Sequence, residues 1–210
     1  MDQTKKKYND LSKFLYNFKR DKAKCPDYSH NAFDGRKFDK GSYPGSYNIP
    51  SDNLDNFFEL YCEKVFSKKQ SCYLTESHTK YSPILIDLDF RIKELCNERK
   101  YNMENIQSFL KLYIDTLLEF VKIDNSKLQV FIMEKEKPVV VEEKKITKDG
   151  VHIIFPYVVS EPKLQHVLRH KLIKNKECKA LFEKLDYVNP LDDIIDASVI
   201  EKNGWLLYGS

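Results

Sequence analysis

Hydrophobic positions along this chain fall into two rhythms. Where they recur every three or four residues they predict helices with one buried face. Tyr8, Leu11, Leu15 and Phe18 do so across residues 4–19. Leu54, Phe57, Phe58, Tyr61 and Val65 do so after Ser51 or Asp52, either of which can cap a helix. The longest stripe, Ile106, Phe109, Leu110, Tyr113, Ile114, Leu117 and Val121, predicts a helix over residues 103–122. Leu164, Val167, Leu168 and Leu172 mark another over 161–175, and a shorter one follows over 176–185. Where apolar residues are nearly continuous over strand length, the pattern predicts buried strands. Such runs cover 72–76, 82–90, 128–133 and 150–159, with Val139 to Val141 as a short edge strand. Asn203-Gly204, between two apolar runs, predicts a hairpin.

Between the first two helices, residues 25–50 are polar and aromatic, and Gly41, Pro44, Gly45 and Pro50 break their last ten positions into turns. Their tyrosines and phenylalanines offer flat faces on which bases could stack, or which pack back on their own domain. Strands and helices alternate irregularly, so the expected class is α+β, with mostly antiparallel sheets flanked by helices. The expected organisation is a helical and loop region over 1–70, packed on a core over 71–210.

Composition narrows this picture without redirecting it. With 210 residues, 41% of them hydrophobic and 13% aromatic, the chain can bury a large core. The net charge of +3 is a small difference between 35 basic and 32 acidic side chains, so no strong polyelectrolyte signal is present. Lysines cluster at Lys5 to Lys7, Lys19 to Lys24, Lys68 with Lys69, and Lys144 to Lys148, where they either touch phosphates or form solvated faces. The five cysteines are odd in number and never spaced C-x-x-C, which indicates neither a disulfide framework nor a zinc ribbon. No run approaches about 18 apolar residues, and the first ten residues lack the apolar core of a signal peptide. The expectation is a soluble, intracellular protein that does not enter a membrane.

Candidate chemistry begins in Ser82 to Phe90, S-P-I-L-I-D-L-D-F. Side chains two apart on a strand point the same way, so Asp87 and Asp89 stand side by side at the end of an element otherwise fit for a core. Like charges there repel and resist desolvation, and a hard divalent cation would neutralise them. An isolated D-x-D also ends many strands at a solvated loop, so context decides. Two further polar sites interrupt apolar runs. Asp196, in D-I-I-D-A-S-V-I, offers a third carboxylate, and Glu76 is placed to face the same cleft. His152 follows Lys148 and Gly150 at alternating positions, which sets a cation, a gap and an imidazole in a row on one strand face. Alone, His152 reads as a hydrogen-bonded core histidine. His30, His78, His166 and His170 have no comparable context.

I-D-L-D-F, then K-D-G-V-H-I-I-F-P, then an aspartate followed by N-G-W-L-L-Y-G-S, in that order, resembles the archaeo-eukaryotic primase superfamily. The resemblance is nearest to the N-terminal primase-polymerase domain of primase-helicases from large cytoplasmic DNA viruses. It spans roughly residues 74–210. It implies an RRM-like catalytic core. It makes Asp87, Asp89 and Asp196 the metal ligands of a two-metal site for Mg²⁺ or Mn²⁺. His152, Lys148, Gly150, Tyr208 and Ser210 become the nucleotide-binding set. The implied activity is DNA-templated nucleotidyl transfer for replication, on a single-stranded template with NTP or dNTP. A C-terminal helicase region and, for a virus, the host cytoplasm are implied as well.

Two departures stand out. Relatives carry a lysine shortly after Tyr-Gly-Ser, beyond the last residue here, and arginines near the third motif, where this chain has Asn203, Gly204, Trp205 and Leu206. No G-x-x-x-x-G-K-[ST] loop occurs, so ATP hydrolysis by that route is not expected of these residues. Two alternatives remain open at this point: a metal-dependent nuclease, and a catalytically inactive DNA-binding module.

Overall fold

The computed structural model describes residues 10–21, 28–32, 44–70 and 72–209. In chain order the elements begin with α1 (Leu11–Asn17), β1 (Lys19–Arg20), β2 (His30–Ala32), β3 (Gly45–Tyr47), α2 (Leu54–Cys62) and β4 (Leu74–Glu76). There follow β5 (Ser82–Ile92), α3 (Met103–Leu118), β6 (Phe131–Glu134), β7 (Val139–Val141) and β8 (Ile146–Ser160). The chain closes with α4 (Pro162–Lys174), α5 (Lys176–Glu183), α6 (Leu191–Ile194), β9 (Ile195–Asp196), α7 (Ser198–Glu201) and β10 (Trp205–Leu206). The described strands form two sheets, and every pairing between them is antiparallel. The class is therefore α+β with antiparallel sheets, as the pattern predicts. Among the described residues no helix is long and apolar enough to cross a membrane.

The chain divides into two compact units, residues 1–78 with 203–210, and residues 79–202. In the first, the sheet runs β1-β3-β2-β4-β10. Leu11, Phe14 and Leu15 of α1 meet Phe57, Leu60 and Tyr61 of α2 in its core, with Tyr47, Ile49 and Leu74. Asp10 caps α1, its carboxylate accepting from the backbone of Ser12 and Lys13, so the helix starts at Leu11. The earlier part of the helix expected over 4–19 lies outside the described residues, as do Cys25 and most of the aromatic stretch. Phe58, expected in the buried stripe, is exposed. After α2 the chain continues in a π-helical turn over residues 63–67.

His30 lies buried in this unit, its Nδ1 2.9 Å from Ser29 Oγ and its ring 4.7 Å from that of Phe57. Burial pushes its pKa down to about 4. An imidazole harder to protonate when folded than when unfolded makes stability fall as pH drops through 6.5 toward 4. His30→Leu is therefore expected to flatten the fall in melting temperature between pH 7 and pH 4.5. An identical fall in both proteins would contradict this account of His30.

In the second unit the sheet runs β6-β8-β5-β9, with β7 also on β8. The even-numbered residues Ile84, Ile86, Leu88 and Phe90 of β5, and Val151, Ile153 and Phe155 of β8, face one apolar core. The stripes of α3, α4 and α5 cover it with Ile106, Phe109, Tyr113, Leu117, Leu168, Leu172 and Phe182. Asn102 and Asn105 close a reciprocal cap at the start of α3, and Asn175 caps α5. With one face so covered, the odd-numbered residues of β5 are left for other work.

Two expectations need correction. The strand expected at 128–133 begins only at Phe131, because residues 125–127 form a single 3₁₀ turn. Asn203-Gly204 does not close a hairpin. The apolar pair before it, Val199 and Ile200, is buried in the helical turn α7, while Trp205 and Leu206 pair with Glu76 and Thr75 of β4. Gly204 is needed for that approach, since a Cβ there would lie 2.8 Å from Thr75 Oγ1.

Candidate active site

Strand β5 is the middle of the site. Its burial alternates, so that Asp87, Asp89 and Arg91 project together from the face the helices leave uncovered. The register sets their neighbours. On one side β8 places His152 opposite Asp87, Gly150 opposite Asp89 and Lys148 opposite Arg91. On the other, β9 places Asp196 opposite Asp87. The structure thus brings six of the expected residues, Asp87, Asp89, Lys148, Gly150, His152 and Asp196, onto three adjacent strands. Tyr208 lies in the first unit, where its backbone carbonyl accepts a hydrogen bond from the Tyr61 hydroxyl at 2.9 Å. Ser210 lies outside the described residues. Glu76 also belongs to the first unit, on β4 between His30 and Trp205.

Asp87 carries the electrostatic tension. Burial first, then the charges of Asp196 and Asp89, push its pKa up to about 7, and the Lys135 ammonium opposes them. His152 Nε2 stands 3.5 Å from Asp87 Oδ1, and burial together with Lys135 depresses the imidazole's pKa. The ring is not sealed inside: its side chain keeps 34% of its accessible surface. Asp196 accepts from the Ser198 amide at 2.8 Å and the Ser198 hydroxyl at 2.6 Å, which closes the turn into α7.

Asp89 is held from two directions. Arg91 Nε and Nη2 donate to its Oδ2 at 3.3 and 3.1 Å. The buried Asn189 amide donates to the Asp89 carbonyl at 2.7 Å and accepts from the Arg91 amide at 2.9 Å, fixing the strand at this point.

The donor chemistry suits a hard divalent ion, because three carboxylates from two strands crowd one another. They are not gathered into a ready cage, however. Among the described residues no group of three or more His, Cys, Asp or Glu side chains is arranged to hold a metal. The reason is visible in the contacts, since Asp89 is engaged by Arg91 and Asp196 by Ser198.

Gly150 owes its identity first to the sheet. A Cβ at this buried position would lie 2.7 Å from the Leu88 carbonyl oxygen of β5, so a strand rather than a flexible side chain would have to move. Gly150→Ala is expected to destabilise the protein by about 1–3 kcal/mol. Unfolding in urea with an unchanged midpoint would contradict that.

Sequence reasoning missed four residues, Arg91, Asp149, Arg99 and Lys135. Arg91 was legible by the same alternation that selects Asp87 and Asp89. Asp149, between Lys148 and Gly150, points to the opposite face and is 1% exposed, paired with Arg99 at 2.9 Å. Arg99 also meets Glu134 at 3.1 Å and donates to the Lys135 carbonyl at 2.6 Å, so one guanidinium ties β8 to the end of β6. Lys135, whose charge is felt by both Asp87 and His152, follows β6 and gave no periodic signal.

Known proteins resemble this chain in a consistent way. The family model described as the C962R protein N-terminal AEP domain matches residues 40–210. The chain is 37% identical over 166 residues to a protein of Acanthamoeba polyphaga mimivirus whose name, L207/L206, proposes it as a helicase. That match covers 79% of this chain and 17% of the relative. It is 26% identical over 196 residues to protein 184R of Invertebrate iridescent virus 6, also proposed by name as a helicase, covering 81% of this chain and 19% of the relative. The chain thus spans less than a fifth of the length of either relative.

Proposed function

This chain belongs to the archaeo-eukaryotic primase family, in its C962R type, and on that premise we propose that it is a DNA primase-polymerase domain performing template-directed nucleotidyl transfer on single-stranded DNA. The observation that carries the reading is the row His152, Asp87, Asp196, directly opposite one another on three strands, with Asp89 beside it. In this reading Asp87, Asp89 and Asp196 hold Mg²⁺ or Mn²⁺, which when bound supplies charge neutralisation and activation of the attacking hydroxyl. The rest is positioning by the protein. His152, depressed in pKa and therefore neutral at physiological pH, donates one ring N–H toward a phosphate oxygen. Lys148 adds a point charge four positions away on the same face. Gly150 between them keeps the strand low there.

The template is single-stranded DNA, and the nucleotide an NTP or dNTP. This reading adds a helicase region in the full-length protein, as the names of the viral relatives suggest, and, for a viral protein, the host cytoplasm as the place of action.

The test is to incubate the chain with single-stranded DNA, NTPs or dNTPs and Mn²⁺. Oligonucleotides are expected to lengthen. Shortening would replace the reading with a phosphodiester hydrolase, and no change would leave a DNA-binding module. In the same assay His152→Ala is expected to weaken nucleotide binding about tenfold, the loss of one charge-assisted hydrogen bond. An unchanged nucleotide affinity would remove His152 from this role.

A further inference from the structure

Arg91 ends the row of odd-numbered side chains on β5, and its guanidinium spans two carboxylates. Nε and Nη2 reach Asp89 Oδ2, and Nη1 reaches Asp193 Oδ2 of α6 at 3.3 Å. A positive charge therefore already stands beside Asp89, where a divalent ion bound by that carboxylate would have to bring its own. The strand cannot easily yield, because Asn189 bonds the backbone of both Asp89 and Arg91. The side chain can, being 35% exposed on a flexible stem. Its register partner on β8 is Lys148, so two cations face each other at this end of the sheet. A planar guanidinium fork matches phosphate oxygens as well as it matches a carboxylate.

We infer that Arg91 exchanges partners during nucleotide binding: it neutralises Asp89 in the free protein, yields that carboxylate to the divalent ion, and turns its fork to the triphosphate beside Lys148. The inference rests on the carboxylate reading proposed above. Asp89 trades a guanidinium for a metal ion and Arg91 trades carboxylates for phosphate, while Asp193, half exposed, is left to solvent. Lysine would serve the first state but not the bidentate second one.

The test is a Mn²⁺ titration of the 210-residue chain by calorimetry, alone and with an α,β-imido nucleoside triphosphate that cannot be incorporated. Without nucleotide, Arg91→Ala is expected to bind Mn²⁺ about 3- to 5-fold more tightly, the competing cation being gone. With Mn²⁺ present it is expected to bind the analogue about tenfold more weakly. Arg91→Lys should bind the analogue with intermediate affinity, and it serves in place of the alanine variant if circular dichroism finds that variant unfolded. Unchanged or weaker Mn²⁺ binding by Arg91→Ala, or unchanged analogue affinity, overturns the exchange. Asp87→Asn separates the two levels. If it loses Mn²⁺ while Arg91→Ala matches the wild type, only the exchange fails. If wild type and Asp87→Asn bind Mn²⁺ equally, or wild type binds none, the carboxylate reading fails and the exchange with it.

Discussion

Asp87→Asn is expected to abolish nucleotide incorporation while making the protein more stable. Loss of one preorganised electrostatic group commonly costs about 10²–10³-fold in turnover, and the metal ligand proposed here should cost at least that. The stability gain follows from the burial and like charges that hold the Asp87 pKa at about 7, well above its ordinary value near 3.8. Because the folded carboxyl keeps its proton more tightly than the unfolded one, folding is penalised wherever the unfolded chain has already lost it. The penalty is absent below about pH 4, grows between pH 4 and 7 and is complete above. Asparagine removes it, so the gain should be on the order of 4 kcal/mol at pH 8.5 and vanish near pH 4. Urea unfolding at the two pH values measures this. Equal stability of variant and wild type at pH 8.5 would mean that neither burial nor the neighbouring carboxylates penalise the Asp87 charge.

The second large effect lies on the opposite face of the sheet, on the neighbouring strand β8. Asp149 is 1% exposed and Arg99 is its ion-pair partner, with the Gly150 amide also donating to it at 2.9 Å. Removing one member of such a pair strands a buried charge. Arg99→Ala is therefore expected to destabilise the protein by about 3–5 kcal/mol. The double variant Arg99→Met/Asp149→Asn keeps an acceptor for the Gly150 amide and leaves no charge behind, so it should recover at least about half of the loss. If the double variant is no more stable than Arg99→Ala, the damage comes from another of the Arg99 contacts, to Glu134 or to the Lys135 carbonyl.

Much of the second unit was legible because its signals are strong and local. The runs around Ile84 and Ile153 and the stripe from Ile106 to Leu117 need only alternation or helical spacing, and each sits in the core it implies. The presence of Asp87, His152 and Asp196 in apolar surroundings was equally readable. That they stand directly opposite one another was not, since register depends on which strands pair and no local pattern encodes it. Asn203-Gly204 misled for a related reason: the dipeptide favours a tight turn, but Val199 and Ile200 gain more by burial in α7. The Asp149–Arg99 pair stayed hidden because its members lie fifty residues apart and only the folded chain brings them together. The Arg91 contacts show why three acidic residues need not make a cage, because a cation from the same strand can occupy one of them first.

The central claim is that Asp87, Asp89 and Asp196 together receive divalent ions beside His152. It is tested most directly by anomalous diffraction from crystals of this chain grown with Mn²⁺ and a non-incorporable nucleoside triphosphate. The account predicts anomalous density within coordination distance of Asp87 and Asp196, with Asp89 turned from Arg91 toward it. Density at other residues only, with Asp89 still on Arg91 and Asp196 still on Ser198, would contradict it.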